Sequence, residues 1–360
     1  MTTHRTTRRR ALALMALVPL AAALAACGDD GDSGSSGGSG VAEELRLGYF
    51  ANVTHAAALI GVDQGLFAEE LGDTTLSTQV FNAGPDVVEA VFGGALDIAY
   101  IGPSPAINAY GQSDGDAVRI ISGAASGGAQ LVVREGIDSP EDLRGATLAT
   151  PQLGNTQDVA LRTWLTEQGL ENSIEGGGDV TISPTPNADT LGLFQEGEFD
   201  GAWLPEPWAS RLVLEAGAKV LVDERDLWDD GQFVTTNIIV RTEFLEQNPE
   251  TVDAFLRAHV AAVQLGEDDP DAAKTAVNAG LEAAGSSPLD AEVLDRAWSN
   301  LSVTWDPLAS TLEESAQHSF DAGTTPELVD IEGIYDLRPL NAVLSDLDLE
   351  PVSAGGLGED

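Results

Sequence analysis

The side chains in this sequence that could make or break bonds are few and scattered. His55, His259 and His318 stand far apart, the single cysteine, Cys27, lies close to the N-terminus, and no HExxH, GxSxG or P-loop pattern occurs. Glu206 does not pair convincingly with Asp200 as acid and base, because Asp200 reads as a brace for its strand. No His/Asp/Glu cluster has metal-ligand spacing, and Asp29-Asp30 and Asp229-Asp230 read as solvated, so neither a metal nor a cofactor is expected. What the sequence does offer is binding chemistry. Segments rich in Gly, Ser, Thr and Asn precede helix patterns at Ala51–His55, Asn82-Ala83-Gly84-Pro85, Gly102-Pro103-Ser104, Ser126-Gly127-Gly128, Gln152-Leu153-Gly154-Asn155-Thr156-Gln157, Pro186-Asn187 and Pro205-Glu206-Pro207-Trp208. Backbone N–H groups at a helix start are unpaired and carry partial positive charge, so they favour an anion by about 0.3–2 kcal/mol each. The same residue types are also ordinary helix caps. His55 is the one histidine in such a loop. Trp203 and Trp208 flank the Pro-Glu-Pro turn, where an aromatic wall would suit a small organic ligand, whereas Trp164, Trp298 and Trp305 read as core.

The elements that must position these loops alternate between strand and helix, which predicts an α/β protein built on parallel sheet. Strands are expected at 45–50, 76–82, 96–102, 118–123, 146–150, 180–184, 200–204 and 219–223, and helices at 55–71, 86–92, 105–111, 156–169, 188–196 and 207–216. In such sheets ligands bind outside the carboxyl ends of the strands. Two further strand-like runs, Gln130–Arg134 and Phe233–Arg241, bracket the middle third and are candidate crossings between two lobes. After Arg241 the pattern is helical throughout, which predicts a segment packing back onto the first lobe. Lobe one is thus expected at 41–133 and 237–350, lobe two at 134–236, and a tail at 351–360. The run from Asp97 to Pro105 is echoed by Asp200 to Pro207, each copy giving Asp, strand, aromatic, Pro-x-Pro and helix. The echo puts Ser104 and Glu206 at or near helix caps; chance similarity of two such turns is the alternative.

Arg5, Arg8, Arg9 and Arg10 precede an apolar run, Ala11–Ala26, that is too short and too broken by Pro19 to span a bilayer. Residues 1–26 therefore read as a lipoprotein signal peptide ending in Leu24-Ala25-Ala26-Cys27, with Cys27 as the lipidated residue. Residues 27–40, almost wholly Gly, Ser and Asp, read as a flexible tether. Such a chain would lie outside the cytoplasm, held by its N-terminal lipid to the outer face of the cell membrane. The export route stays open between the general and the twin-arginine pathways. The formal net charge of −42 falls to about −46 once the four leader arginines are gone, which excludes nucleic acid as a plausible partner.

Several of these runs resemble a known family. Leu47-Gly48-Tyr49-Phe50 followed by His55 and Gly65-Leu66-Phe67, then Gly94-Ala95-Leu96-Asp97-Ile98-Ala99, Ser139-Pro140-Glu141-Asp142-Leu143-Arg144-Gly145 and Ala202-Trp203-Leu204-Pro205-Glu206-Pro207-Trp208, occur in the order found in nitrate/sulfonate/taurine-type substrate-binding proteins of ABC importers. The resemblance implies a type II periplasmic-binding-protein fold with a closing cleft between two lobes. It implies a monomeric receptor that delivers its solute to permease subunits and does no catalysis. Carried over position by position, it places ligand contacts at Asn52, His55, Gly102, Pro103, Ser104, Ser126, Gly127, Gly154, Asn155, Thr156, Gln157, Trp203, Glu206 and Trp208. Within the family an aliphatic sulfonate or taurine is the first choice of ligand; nitrate, bicarbonate or a thiamine precursor is the alternative. A carboxylate at Glu206 facing a simple anion would repel it, so it must be paired, point away or meet an ammonium. A sensor domain and a pyrimidine-precursor-synthase-like enzyme are readings of another class, and the enzyme needs histidines and a cysteine that the mature chain lacks.

Overall fold

The computed structural model describes residues 40–360. The expected signal peptide, Cys27 and the tether as far as residue 39 lie outside the described residues. The chain first forms β1 (Glu44–Phe50), β2 (Thr75–Phe81), β3 (Ile98–Ile101) and β4 (Val118–Gly127). It continues through β5 (Ala129–Val133), β6 (Thr147–Thr150), β7 (Thr181–Pro184), β8 (Gly201–Pro205) and β9 (Lys219–Asp223). It then returns in β10 (Val234–Arg241) and ends with β11 (Leu301–Val303), β12 (Tyr335–Asp336) and β13 (Gly358–Glu359). These strands make two sheets. The first has the order β13-β12-β4-β10-β3-β1-β2, with β11 added on β4, and the second has the order β7-β6-β8-β5-β9.

Strands buried on both faces read as continuous apolar runs, and β3 is of that kind, whereas β10 is as deeply buried but carries Thr235, Thr236 and Asn237 ahead of its apolar half. Successive side chains nevertheless go to opposite cores. Leu47, Tyr100 and Ile238 join Phe67 and Phe255 on one side of the first sheet, while Ile101 and Ile239 join Ile107 and Leu312 on the other. In the second sheet Leu131 and Trp203 pack with Trp164, and Val132 and Leu204 pack with Phe194 and Leu212. The long helix Pro249–Asp268 lies on the helices Ala56–Asp63 and Leu66–Leu71, so the C-terminal third closes over the first sheet. Among the described residues no helix is long and apolar enough to cross a membrane.

The echo read in the sequence is a topological equivalence. β2-β1-β3 and β7-β6-β8 are the same parallel arrangement, each followed by an antiparallel strand, β10 in one and β5 in the other. The repeated aspartates do the same work: Asp97 accepts the Arg46 N–H at 3.0 Å and Asp200 accepts the Thr147 N–H at 2.8 Å, each tying its strand to the neighbour.

Several expectations are corrected. The runs at 130–134 and 233–241 are strands of the second and first sheet, and the crossings lie between β4 and β5 and between β9 and β10. The outward one turns at Gly127 and Gly128, whose φ values of 73° and 76° favour glycine, so the first sheet's opening contribution ends at 127. The helix expected over 55–71 is two helices preceded by a single tight turn at Val53–His55. The segment after Arg241 is not all helical, because β11, β12 and β13 extend the first sheet. Nor is 351–360 a loose tail: Ala354 is buried and Gly358–Glu359 pairs with β12. Ser104 and Glu206 do lie near helix caps, as expected, though neither is the cap itself. The helix Pro103–Gln112 is capped by Gly102, and Trp208–Ala216 by Pro207.

Candidate ligand-binding cavity

Between the carboxyl ends of the two sets of parallel strands lies a small cavity, with about 320 Å³ of space free of protein atoms when the solvent at its mouth is included. The first sheet supplies Phe50 at the end of β1, Asn52, Thr54 and His55 after it, Asn82 after β2 and Gly102 after β3. From the second come Pro151, Asn155, Thr156 and Gln157 after β6, Asn187 after β7 and Pro205 at the end of β8. Thr235 and Thr236 of β10 form the floor between them. No lining residue carries a charged side chain.

Burial pushes the His55 imidazole down to about 3, so the ring is neutral throughout the physiological range. Its Nδ1 accepts the Phe50 N–H at 3.3 Å, which places the ring proton on Nε2 as a donor. Opposite, the helix Thr156–Glu167 begins at Asn155. The Asn155 Oδ1 accepts the Gly84 N–H across the gap at 3.1 Å and its Nδ2 donates to Gln157 Oε1 at 2.8 Å. The main-chain N–H groups of Thr156 and Gln157 find no acceptor among the described residues, nor does Thr156 Oγ1 find a partner. Behind them Asp158, fully buried with Arg162, accepts the Gly154 N–H at 3.0 Å and the Thr150 hydroxyl at 2.8 Å, which holds the loop that aims these donors. The arrangement can neutralise a small anion with dipoles alone.

Contacts across the cavity are close. A Cβ on Gly102 would stand 2.1 Å from Thr156 Oγ1, so only glycine allows the two sides this approach. Trp208 donates its indole N–H to Asn52 Oδ1 at 2.8 Å. The Glu206 carbonyl accepts the Val53 and Thr54 N–H groups at 3.1 and 3.4 Å, and the Thr236 hydroxyl donates to the Thr54 carbonyl at 3.0 Å.

Of the residues expected to contact ligand, Asn52, His55, Gly102, Asn155, Thr156 and Gln157 line the cavity. Pro103 and Ser104 stand one step behind Gly102, Gly154 one step before Asn155, and Ser126 and Gly127 belong to β4 at the outward crossing. Trp208 touches the cavity only through Asn52. Trp203 is not a ligand wall: it is wholly buried in the second sheet's core, donating to Glu224 Oε2 at 2.7 Å and packing edge-on against Trp164. Glu206 also lies off the cavity. Its buried carboxylate accepts the Ser210 N–H at 3.0 Å, Arg296 Nη1 at 3.2 Å and Asn300 Nδ2 at 2.6 Å, so local helix chemistry does occupy it. Burial raises its pKa, and those hydrogen bonds with the Arg296 charge pull it back. Sequence reasoning did not single out Phe50, Thr54, Asn82, Pro151, Asn187, Pro205, Thr235 and Thr236 on the wall, or Arg296 and Asn300 behind it. Thr54, Asn82 and Asn187 do fall within the polar loops that precede helices, which was the available signal. Among the described residues no group of three or more His, Cys, Asp or Glu is placed to hold a metal.

The profile of the NMT1-like family matches residues 39–280. The taurine-binding periplasmic protein of Escherichia coli (strain K12) is 30% identical over 209 residues, an alignment covering 57% of this chain and 61% of that protein. The chain thus spans about three fifths of that relative's length. Among solved structures, the alkanesulfonate-binding protein SsuA from Xanthomonas axonopodis pv. citri bound to MOPS superposes with a TM-score of 0.65 at 21% identity, covering 80% of this chain and 97% of that one. The periplasmic nitrate-binding protein NrtA from Synechocystis PCC 6803 gives 0.71 at 17% identity, covering 85% and 89%. These superpositions show that the two-sheet architecture is that of the periplasmic binding proteins.

Proposed function

Because this chain belongs to the NMT1-like family, we propose that it is the solute-binding component of an ABC importer for a small organic anion of the sulfonate class. It hangs from a lipid on Cys27 at the outer face of the cell membrane and hands its solute to permease subunits. One observation carries the ligand class: a cavity between two sheets, without a charged side chain on its wall, presents the Thr156 and Gln157 N–H groups and the His55 Nε2–H to one small space. Each helix-start donor favours an anion by about 0.3–2 kcal/mol, and exclusion of water makes such dipoles count for more than they would in solution. The two sheets are the lobes, and the crossings at Gly127–Gly128 and between β9 and β10 are the hinge. Glu206, engaged by Arg296 and Asn300, no longer opposes an anion.

The relatives compared above are named for binding rather than for catalysis, and the cavity holds no nucleophile with a base beside it. Thermal unfolding of the purified protein against alkanesulfonates, taurine, sulfate, nitrate, bicarbonate and thiamine precursors tests the reading. At 100 times its dissociation constant a ligand adds about 2.7 kcal/mol, a rise of several degrees in a chain of this size. A shift with a sulfonate supports the proposal, and a shift confined to nitrate or bicarbonate would replace its ligand class.

A further inference from the structure

β2, which reads Thr75-Leu76-Ser77-Thr78-Gln79-Val80-Phe81, is an end strand of the first sheet. One side of it pairs with β1 over all seven residues, and no described strand takes the N–H and C=O groups that face the other way. Five of the seven residues are exposed. A free edge of this kind invites another strand, and proteins ordinarily blunt it with charge, proline or short length. The other end strands follow that rule. β13 has two residues, one of them Glu359, β7 has four and ends in Pro184, and β9 carries Lys219 and Asp223. β2 has none of these devices, in a chain of 59 acidic residues. From this contrast we infer that β2 is a self-association edge, where a second copy of this chain lays its own β2 antiparallel and joins the two first sheets into one. The inference is independent of the solute, and it departs from the monomer that the family resemblance implies.

A contact between identical subunits about a two-fold axis runs the two strands antiparallel and repeats every pair. In the register that uses the whole strand, Thr78 meets its own counterpart on the axis, Leu76 faces Val80, Ser77 faces Gln79 and Thr75 faces Phe81. Period-two alternation keeps the members of each pair on one face of the sheet. Leu76 marks the face toward the core that holds Tyr49 and Phe67, and Phe81 marks the face toward the core that holds Ile101 and Ile107. Apolar side chains and hydroxyls pair on the first face, a hydroxyl and an amide on the second, and nowhere do two charges meet. A basic partner would be drawn to carboxylates, which this strand lacks. An uncharged strand helps where the incoming surface is as acidic as the chain itself, and another copy of the chain is such a surface.

Sedimentation equilibrium of the purified protein at rising concentration tests this. Repulsion between two chains of net charge −42 opposes the contact, and sodium chloride at about 1 M shortens its reach to about 3 Å. The dimer fraction is therefore expected to grow with protein and with salt. In high salt, Ser77→Glu combined with Gln79→Glu sets like charges opposite each other twice and should raise the dissociation constant about ten-fold or more. Ser77→Glu combined with Gln79→Lys sets each new carboxylate opposite an ammonium and should return the constant to the native value or below it. The melting curve of each variant checks that it folds. A native chain that stays monomeric up to its solubility limit in high salt overturns the inference. A dimer that the doubly acidic variant leaves unchanged uses another surface and overturns it too, as does a charge-swapped variant no tighter than the doubly acidic one.

Discussion

Gly102 is where a single hydrogen atom separates a closed cavity from an obstructed one. Its φ of −72° and ψ of 161° suit any L-residue, so alanine there does not strain the backbone. The added methyl would instead meet Thr156 Oγ1 from the opposite side, 2.1 Å away. Gly102→Ala is therefore expected to melt close to the parent while losing at least about ten-fold in affinity for the bound anion, read by titration calorimetry. Undiminished affinity would show that the two sides need not approach so closely. Much of the wall was legible because small polar residues at strand ends stand out against apolar strands. Thr235 and Thr236 did not stand out, since they sit within strand β10 and not in a loop after a strand, and their hydroxyls turn to the carbonyls of Gly127 and Thr54. Trp203 misled for a different reason. Period-two alternation sends it to the helix-covered face, and a buried carboxylate that no local pattern announces takes its N–H.

That carboxylate belongs to the return connection between β9 and β10. Burial pushes the Glu224 carboxyl up to about 7, against the hydrogen bonds from Trp203 and Trp228 and with help from the Asp223 charge. The ordinary value is near 4.5, so between pH 4.5 and 7 the folded chain holds a proton that the unfolded chain has released. Stability on this account is present below 4.5 and lost as pH rises through 7. Glu224→Gln, which can still accept the indole N–H, is expected to raise Tm by several degrees at pH 8 and by much less at pH 5, as followed by calorimetry. An equal shift at both pH values would mean that the group is already neutral or already well solvated. At this scale the βα order of both sheets could be read from alternating runs, and the echo around Asp97 and Asp200 from sequence alone. The terminal strands could not: β11, β12 and β13 span two or three residues, too few to show any period, and exist because β4 and then β12 leave edges to be paired.

Over the whole molecule, 59 acidic residues face 17 basic ones. The ion pairs seen, such as Arg46–Asp97 and Arg162–Asp158, use a large share of the cations and leave most carboxylates exposed to one another. Self-repulsion of this kind opposes the compact state and is screened within about 8 Å at physiological ionic strength. Melting temperature is thus expected to climb steadily as sodium chloride is raised from about 10 mM toward 1 M, measured by scanning fluorimetry; a flat profile would show that the surface charges are already far enough apart. The broad architecture was legible because a middle third with its own strands interrupts a first set that resumes after it. The exact crossing points were not, since a strand that changes sheets looks like any other until its hydrogen-bond partners are known. The uncharged wall carries one last consequence. Under the function proposed above, acidification or brine would alter the exterior of this protein but have no handle on an anion held by fixed dipoles, so release is expected to need a mechanical parting of the two halves.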